Sequence, residues 1–231
     1  MTKLNIINWE NILAHSKTFQ AQKPTKWAFL EEFLSRDFYE KLYETYPKKD
    51  ESWTLDDQHD YYNFSHTWGG KDRTDVSTDV EDPSFSESWN QFHRYLFSDE
   101  LISNFRKFSG IPVKLKQFSL MLLTRGGYQL PHIHNVGPST MILMLFFSKN
   151  WKKGDPGGTY VTPNDTESNM IFEPSNLDNT AIIFQDGPHA GHGVRQITKD
   201  VERRAVQIYL EKYSSETGWS AYNKKRELRE I

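Results

Sequence analysis

The stretch "RGGYQLPHIHN", residues 125–135, runs into the apolar segment "TMILMLFF" at 140–147, and the two together set the reading of this chain. In an extended strand, residues i and i+2 project from the same face, so His132 and His134 present two imidazoles to one place. Imidazole suits first-row transition metals. A chain without cysteine can hold such a metal only through His, Asp or Glu. A third ligand has to come from elsewhere, and "PHAGHGV" at 188–194 offers His189 and His192. Spacing alone leaves a plainer reading open, in which these are ordinary surface or core histidines among the eight in the chain.

The sequence around the histidines is β-like. After Gly110, short runs rich in β-branched and aromatic residues alternate with turn clusters, at 112–125, 128–134, 140–147, 158–162, 180–185, 191–197 and 203–210. Seven such runs predict a sandwich, jelly roll or small barrel. Before Gly110 the pattern is mostly helical. A short helix is expected over 9–18, a strand over 27–34, and then a helix capped by Ser35 with Phe38, Leu42 and Tyr46 along one face. Phe85, Trp89, Phe92 and Leu96 mark a further helix, with His93 beside the stripe and read as a surface residue. Another helix runs from the cap Ser98 to the stop Gly110. The polar segment 48–82 reads as a long irregular excursion or a lid.

Composition narrows the function classes. The 231 residues suffice for one well-buried domain, taken here as 1–231 with a β core at 111–211 and a tail at 212–231. A net charge of −3 gives no basic footprint for nucleic acid, and no apolar run is long enough to span a membrane. The opening "MTKLNIINWE" lacks the apolar core of a signal peptide, so the expected compartment is the cytoplasm.

Taken in order, "RGGYQLPHIHN", "TMILMLFFSKNWKKGDPGG", "IFEP", "AIIF", "HGV" and "ERRAVQIYL" resemble the iron(II)- and 2-oxoglutarate-dependent oxygenases, in particular their prolyl-hydroxylase branch. The resemblance extends from Arg125 to Leu210, and "WAFLEEFLSRDFYEKLYETYP" (27–47) is similar to the segment that precedes the core in that family. It implies an α+β, mainly β fold: a double-stranded β-helix (jelly roll, cupin-like) with N-terminal helices packed on one sheet. It also implies a dioxygenase that hydroxylates a C–H bond of a small-molecule or peptidyl substrate, using Fe(II), O2 and 2-oxoglutarate. Position by position, His132 matches the first histidine of the family's His-x-Asp pair and His192 the distal histidine, which leaves His189 as the weaker ligand candidate. Arg203 matches the arginine that anchors the far carboxylate of 2-oxoglutarate.

Strand alternation agrees with that last choice. Arg203 shares a face with Ala205, Gln207 and Tyr209, suited to a polar lumen, whereas Arg204 shares one with Val206, Ile208 and Leu210, suited to packing on helices. Gln207, Tyr209 and the aromatic segment 53–68 are then expected next to the substrate.

The chain departs from the family pattern at two positions. His134 stands where the family has aspartate, so a divalent site that would carry a formal charge of +1 carries +2. Phe146 stands where many prolyl hydroxylases have a tyrosine that shares the 2-oxoglutarate carboxylate. These departures keep other readings in play: a three-histidine dioxygenase that does not use 2-oxoglutarate, a non-catalytic metal-binding protein on the same fold, and, more remotely, a halogenase-like site if His134 swings away. The sequence does not reveal the substrate or the oligomeric state.

Overall fold

The computed structural model describes residues 5–69, 76–134, 137–216 and 218–219. Asn135 of the motif, residues 70–75 of the polar segment and most of the 212–231 tail lie outside them.

Helices come first in the chain. They are α1 (Trp9–Ala14), α2 (Ser16–Ala21), α3 (Arg36–Glu44), α4 (Glu87–Tyr95) and α5 (Asp99–Ser109). Strands β1 (Trp27–Leu30), β2 (Thr54–Gln58) and β3 (Tyr61–Thr67) are interleaved with them. The core strands follow: β4 (Val113–Leu123), β5 (Tyr128–His132), β6 (Thr140–Phe147), β7 (Thr159–Thr162), β8 (Asp178–Gln185), β9 (Gly191–Val194) and β10 (Arg203–Ser214), with a short β11 (Gly218–Trp219). All seven expected core strands are present. Every pairing is antiparallel, and the strands follow the order β1-β8-β6-β10-β4-β3-β5-β9-β7, with β2 added on β3 and β11 on β10. This is the nearly closed barrel of a double-stranded β-helix.

The two faces of β10 separate as alternation requires. Val206, Ile208 and Leu210 join Phe118, Leu120, Leu122, Leu143 and Leu145 of the neighbouring strands in one apolar layer with Leu42, Trp89, Phe92, Leu101 and Phe105 of the helices. The opposite face turns inward, where Ala205 meets Met121, Met144, Phe146, Val161 and Ile182. Ser98 caps α5 by accepting from the Leu101 N–H, and Gly110 closes it in the left-handed region at φ +82°.

Two expectations need correction. Residues 54–67 of the polar segment form a β-hairpin, not an irregular excursion or a lid. β3 pairs with β2 on one side and with β4 and β5 on the other, so it belongs to the barrel wall. Its polarity misled because the barrel interior is itself polar: Asn63 and Ser65 are buried, and both donate hydrogen bonds to the Asp56 carboxylate. His93 is likewise not a surface residue; it is 1% exposed. Its ring stacks on Trp68 with centroids 4.1 Å apart and planes within 9°, edge-on to Phe118. Smaller shifts occur elsewhere. The first helical stretch breaks at His15, and β1 stops at Leu30, before Glu32 turns the chain at φ 48°.

Burial holds the His93 imidazole neutral, its pKa pushed down to about 4. Because the folded value lies below the unfolded one of about 6.5, the unfolded chain binds the extra proton. Stability is therefore full above about pH 6.5 and is lost as pH falls toward 4. Between pH 8 and pH 5 the wild type should lose about 2 kcal/mol more than His93→Phe. Urea denaturation at the two pH values checks this, and equal losses would refute it.

Candidate metal centre

His132 and His192 face each other across the β5–β9 pair, and β7 lies on the other side of β9 with Val161 opposite His192. Glycines flank His192 because the neighbouring chains come too close for a side chain. A Cβ at Gly193 would lie 2.5 Å from the Tyr160 hydroxyl and 2.7 Å from the Gln129 carbonyl, and one at Gly191 would lie 1.8 Å from the Asn164 carbonyl. The short "GHGV" thus lets β9 sink between β5 and β7 with its one histidine pointing inward.

His134 lies two residues beyond the end of β5. Its Nε2 is 3.2 Å from that of His132, and one nitrogen from each of the three histidines falls within 4.8 Å of the others. Both strand histidines are fixed by the same local device. Their Nδ1 atoms sit on the carbonyl oxygen two residues back, Leu130 for His132 at 2.8 Å and Ala190 for His192 at 3.0 Å. An Nδ1–H donated there leaves the Nε2 lone pair of each ring directed at the site. Nε2 of His192 is buried and has no hydrogen-bond partner among the described residues. Aromatic rings wall the cluster: Tyr61 edge-on to His132 at 5.4 Å, Phe184 at 4.5 Å from His192, and Tyr209 at 5.8 Å from His134.

Burial holds the His192 imidazole well below its usual pKa, helped by the two neighbouring histidines. It lowers His132 as well, against the Leu130 hydrogen bond and the nearby Asp60. Both rings are therefore neutral and ready to ligate at physiological pH, and proton competition begins below the ordinary imidazole range.

Donor chemistry and spacing fit a divalent first-row metal. Two nitrogens bound side by side at about 2.1 Å from one ion lie about 3 Å apart, close to the His132–His134 separation.

Arg203 lies deeper in the barrel and is completely buried. Its Nε donates to the Gly157 carbonyl at 3.0 Å and its Nη2 to the Thr159 hydroxyl at 2.7 Å, while its Cζ lies 5.0 Å from the centroid of the Phe146 ring. Nη1 is buried without a hydrogen-bond partner, and among the described residues no carboxylate pairs with this guanidinium. Burial lowers its pKa to about 10, so it remains a cation at neutral pH. Thr159, which touches Arg203, and Val161, which faces His192, are two residues apart on β7 and so on one face of it, about 7 Å along the strand.

The structure brings His132, His134 and His192 together, with Tyr209 beside them. Gln207 lies on the inward face of β10 between Ser119 and Met144. Arg204 turns outward to Glu202. His189 is exposed and takes part through its carbonyl, which accepts from the Thr25 hydroxyl. Residue-by-residue reading did not single out Tyr61, Phe184 or Thr159. Tyr61 at least lay within the flagged aromatic segment.

No protein-family model and no curated protein matches the sequence. Solved structures do match. A prolyl-4-hydroxylase from Pseudomonas putida superposes with a TM-score of 0.64 at 14% identity, over 87% of this chain and 98% of that one. A prolyl hydroxylase from Trichoplax adhaerens, in complex with a peptide fragment of the hypoxia inducible factor oxygen degradation domain, gives 0.60 at 13%, over 88% and 89%. HygX from Streptomyces hygroscopicus, with nickel and 2-oxoglutarate bound, gives 0.55 at 9%, over 88% and 86%. The fold of this chain is that of the 2-oxoglutarate–Fe(II) oxygenases.

His132→Ala and His192→Ala should each abolish stoichiometric Fe(II) binding to the full chain, whereas His189→Ala leaves it intact. Anaerobic titration measures this, and loss of binding in His189→Ala would mean the distal ligand is misassigned.

Proposed function

We propose that the protein is an iron(II)- and 2-oxoglutarate-dependent oxygenase that hydroxylates a C–H bond of a small-molecule or peptidyl substrate. His132, His134 and His192 would hold the metal, and Arg203 would hold the far carboxylate of 2-oxoglutarate. The observation that carries this reading is Arg203. A buried guanidinium without a carboxylate partner is costly unless an anion comes to it. Among the described residues its Nη1 is the one guanidinium nitrogen with no acceptor. The separation from Thr159 to the residue facing His192 is on the scale of a five-carbon dicarboxylate.

When bound, the iron and 2-oxoglutarate supply the oxidising chemistry, with succinate and CO2 as co-products. The chain's own residues bind, orient and exclude water. Arg203 and Thr159 fix the cosubstrate's distal end, and Phe146 shields that contact from water without adding a hydrogen bond. Nδ1–H donation to Leu130 and Ala190 keeps two imidazoles in the ligating tautomer. Tyr61, Tyr209 and Gln207 line the inward-facing wall on the substrate's side, where a hydroxyl or amide can align a polar substrate.

A three-histidine dioxygenase that binds a neutral substrate directly would leave Arg203 without an anion, and a cosubstrate carboxylate supports the present reading over it. Arg203→Ala removes a charge-assisted contact, which should cost about 2–4 kcal/mol of 2-oxoglutarate binding, roughly 30- to 1000-fold in affinity. Arg204→Ala should cost little. Calorimetry on the metal-loaded protein decides the matter, and unchanged affinity in Arg203→Ala would reject the assignment.

The ligand exchange at position 134 gives a second test. His134→Asp restores a carboxylate donor and lowers the formal charge of the site by one. It should bind Fe(II) and form succinate from 2-oxoglutarate at least as fast as wild type in an uncoupled turnover assay. A variant that binds Fe(II) but makes no succinate would show that the wild-type imidazole is required.

A further inference from the structure

We propose that Asp186 is the positioning residue for the third histidine. The inference rests on the three-histidine reading above. His132 and His192 are set by strand pairing, since they are register partners in the β5–β9 ladder. His134 has no such constraint, because β5 ends at His132. Three residues on from it, at Gly137, the chain is fastened to the end of β8.

Four bonds do the fastening. The Gly137 N–H donates to Oδ2 of Asp186 at 3.0 Å, and the Asp186 N–H donates to the Thr140 carbonyl at 2.9 Å. Thr140 N–H closes the turn on the Gly137 carbonyl at 3.2 Å, and the side-chain amide of Gln185 donates to the Pro138 carbonyl. Asp186 is 2% exposed, so its carboxylate is committed to the protein interior. Gly137 sits at φ +111°, a conformation that side chains rarely adopt, so this turn is specified by its sequence.

The same strand end also reaches the metal cluster. Phe184, two residues before Asp186, packs on the His192 ring. The end of β8 therefore packs on one ligand and pins the chain three residues after another. Three residues separate His134 from Gly137, a reach of at most about 10 Å, so pinning Gly137 confines His134 to the neighbourhood of the other two imidazoles. A carboxylate suits the task because an anionic acceptor binds a backbone N–H more strongly than a neutral one. Asp186 acts through His134 and is not a ligand; the group of residues able to share one ion does not include it.

Co(II) serves as the probe, bound to the full chain, with affinity read by chelator competition and ligand number by visible absorption. Asp186→Ala should weaken Co(II) binding about 10-fold, as His134→Ala does, in the range that loss of an outer-sphere partner produces. Its spectrum should match that of His134→Ala, and the double variant should be no weaker than either single one. Asp186→Asn keeps an acceptor oxygen and should recover most of the wild-type affinity and spectrum. A wild-type spectrum and affinity in Asp186→Ala would overturn the proposal and reduce the residue to a turn cap. Multiplicative losses in the double variant would overturn it as well. If Asp186→Ala does not fold by circular dichroism, Asp186→Ser is judged by the same criteria. Failure of the underlying reading looks different: His132→Ala and His134→Ala would then bind Co(II) as the wild type does, and both proposals would fall.

Discussion

The antiparallel pairing of β5 with β9 is the constraint on which the rest depends. It sets His132 directly opposite His192, two residues remote in sequence and close in space only through this register. A slip of one residue would turn one imidazole out of the barrel, because side chains alternate faces along a strand. The register is secured from several sides. Gly191 and Gly193 let β9 approach its neighbours, Val161 backs His192 from β7, and the hairpin strand β3 braces β5 at Tyr61 and Tyr62. The Nδ1 contacts to Leu130 and Ala190 then convert backbone register into ring orientation.

Charge is distributed along the barrel in an unusual way. The cluster consists of three imidazoles, two of them, His132 and His192, held below their usual pKa by burial, and the deeper Arg203 is a buried cation without a protein anion among the described residues. Desolvation of an unpaired ion costs several kcal/mol, and an anionic ligand at Arg203 would offset that cost. An aspartate at position 134 would supply one unit of negative charge internally. With histidine there, that unit is missing from the protein side, and the proposed dianionic cosubstrate would supply it.

Much of the architecture was legible in the chain. Seven β runs, the caps at Ser98 and Gly110, and the two alternating faces of the 203–210 strand follow from the local sequence. Periodicity alone did not choose between Arg203 and Arg204, and the family resemblance with the more polar Ala205–Gln207–Tyr209 face favoured Arg203. The 54–67 hairpin was not legible. Strand signals assume that buried means apolar, and Asn63 and Ser65 are buried because Asp56 satisfies them, a partner on another strand. His93 was misplaced for the same reason in reverse. A polar side chain beside a helical stripe looks solvent-facing until Trp68, on a different element, covers it.

The sequence by itself determined which side chains are available for the centre: no thiolates, two histidines two residues apart, another held between two glycines, and one arginine on the polar face of the last long strand. The tertiary structure alone decided that three of those histidines converge, that His189 stays outside, and that Arg203 is left with an undonated N–H. It also decided that the Asp186 carboxylate, just beyond β8, accepts from the Gly137 N–H three residues after His134. The reason is physical. Residue type and alternation are local, whereas convergence, burial and hydrogen-bond satisfaction depend on which strands pair and in what register, and that is fixed only when the whole barrel closes.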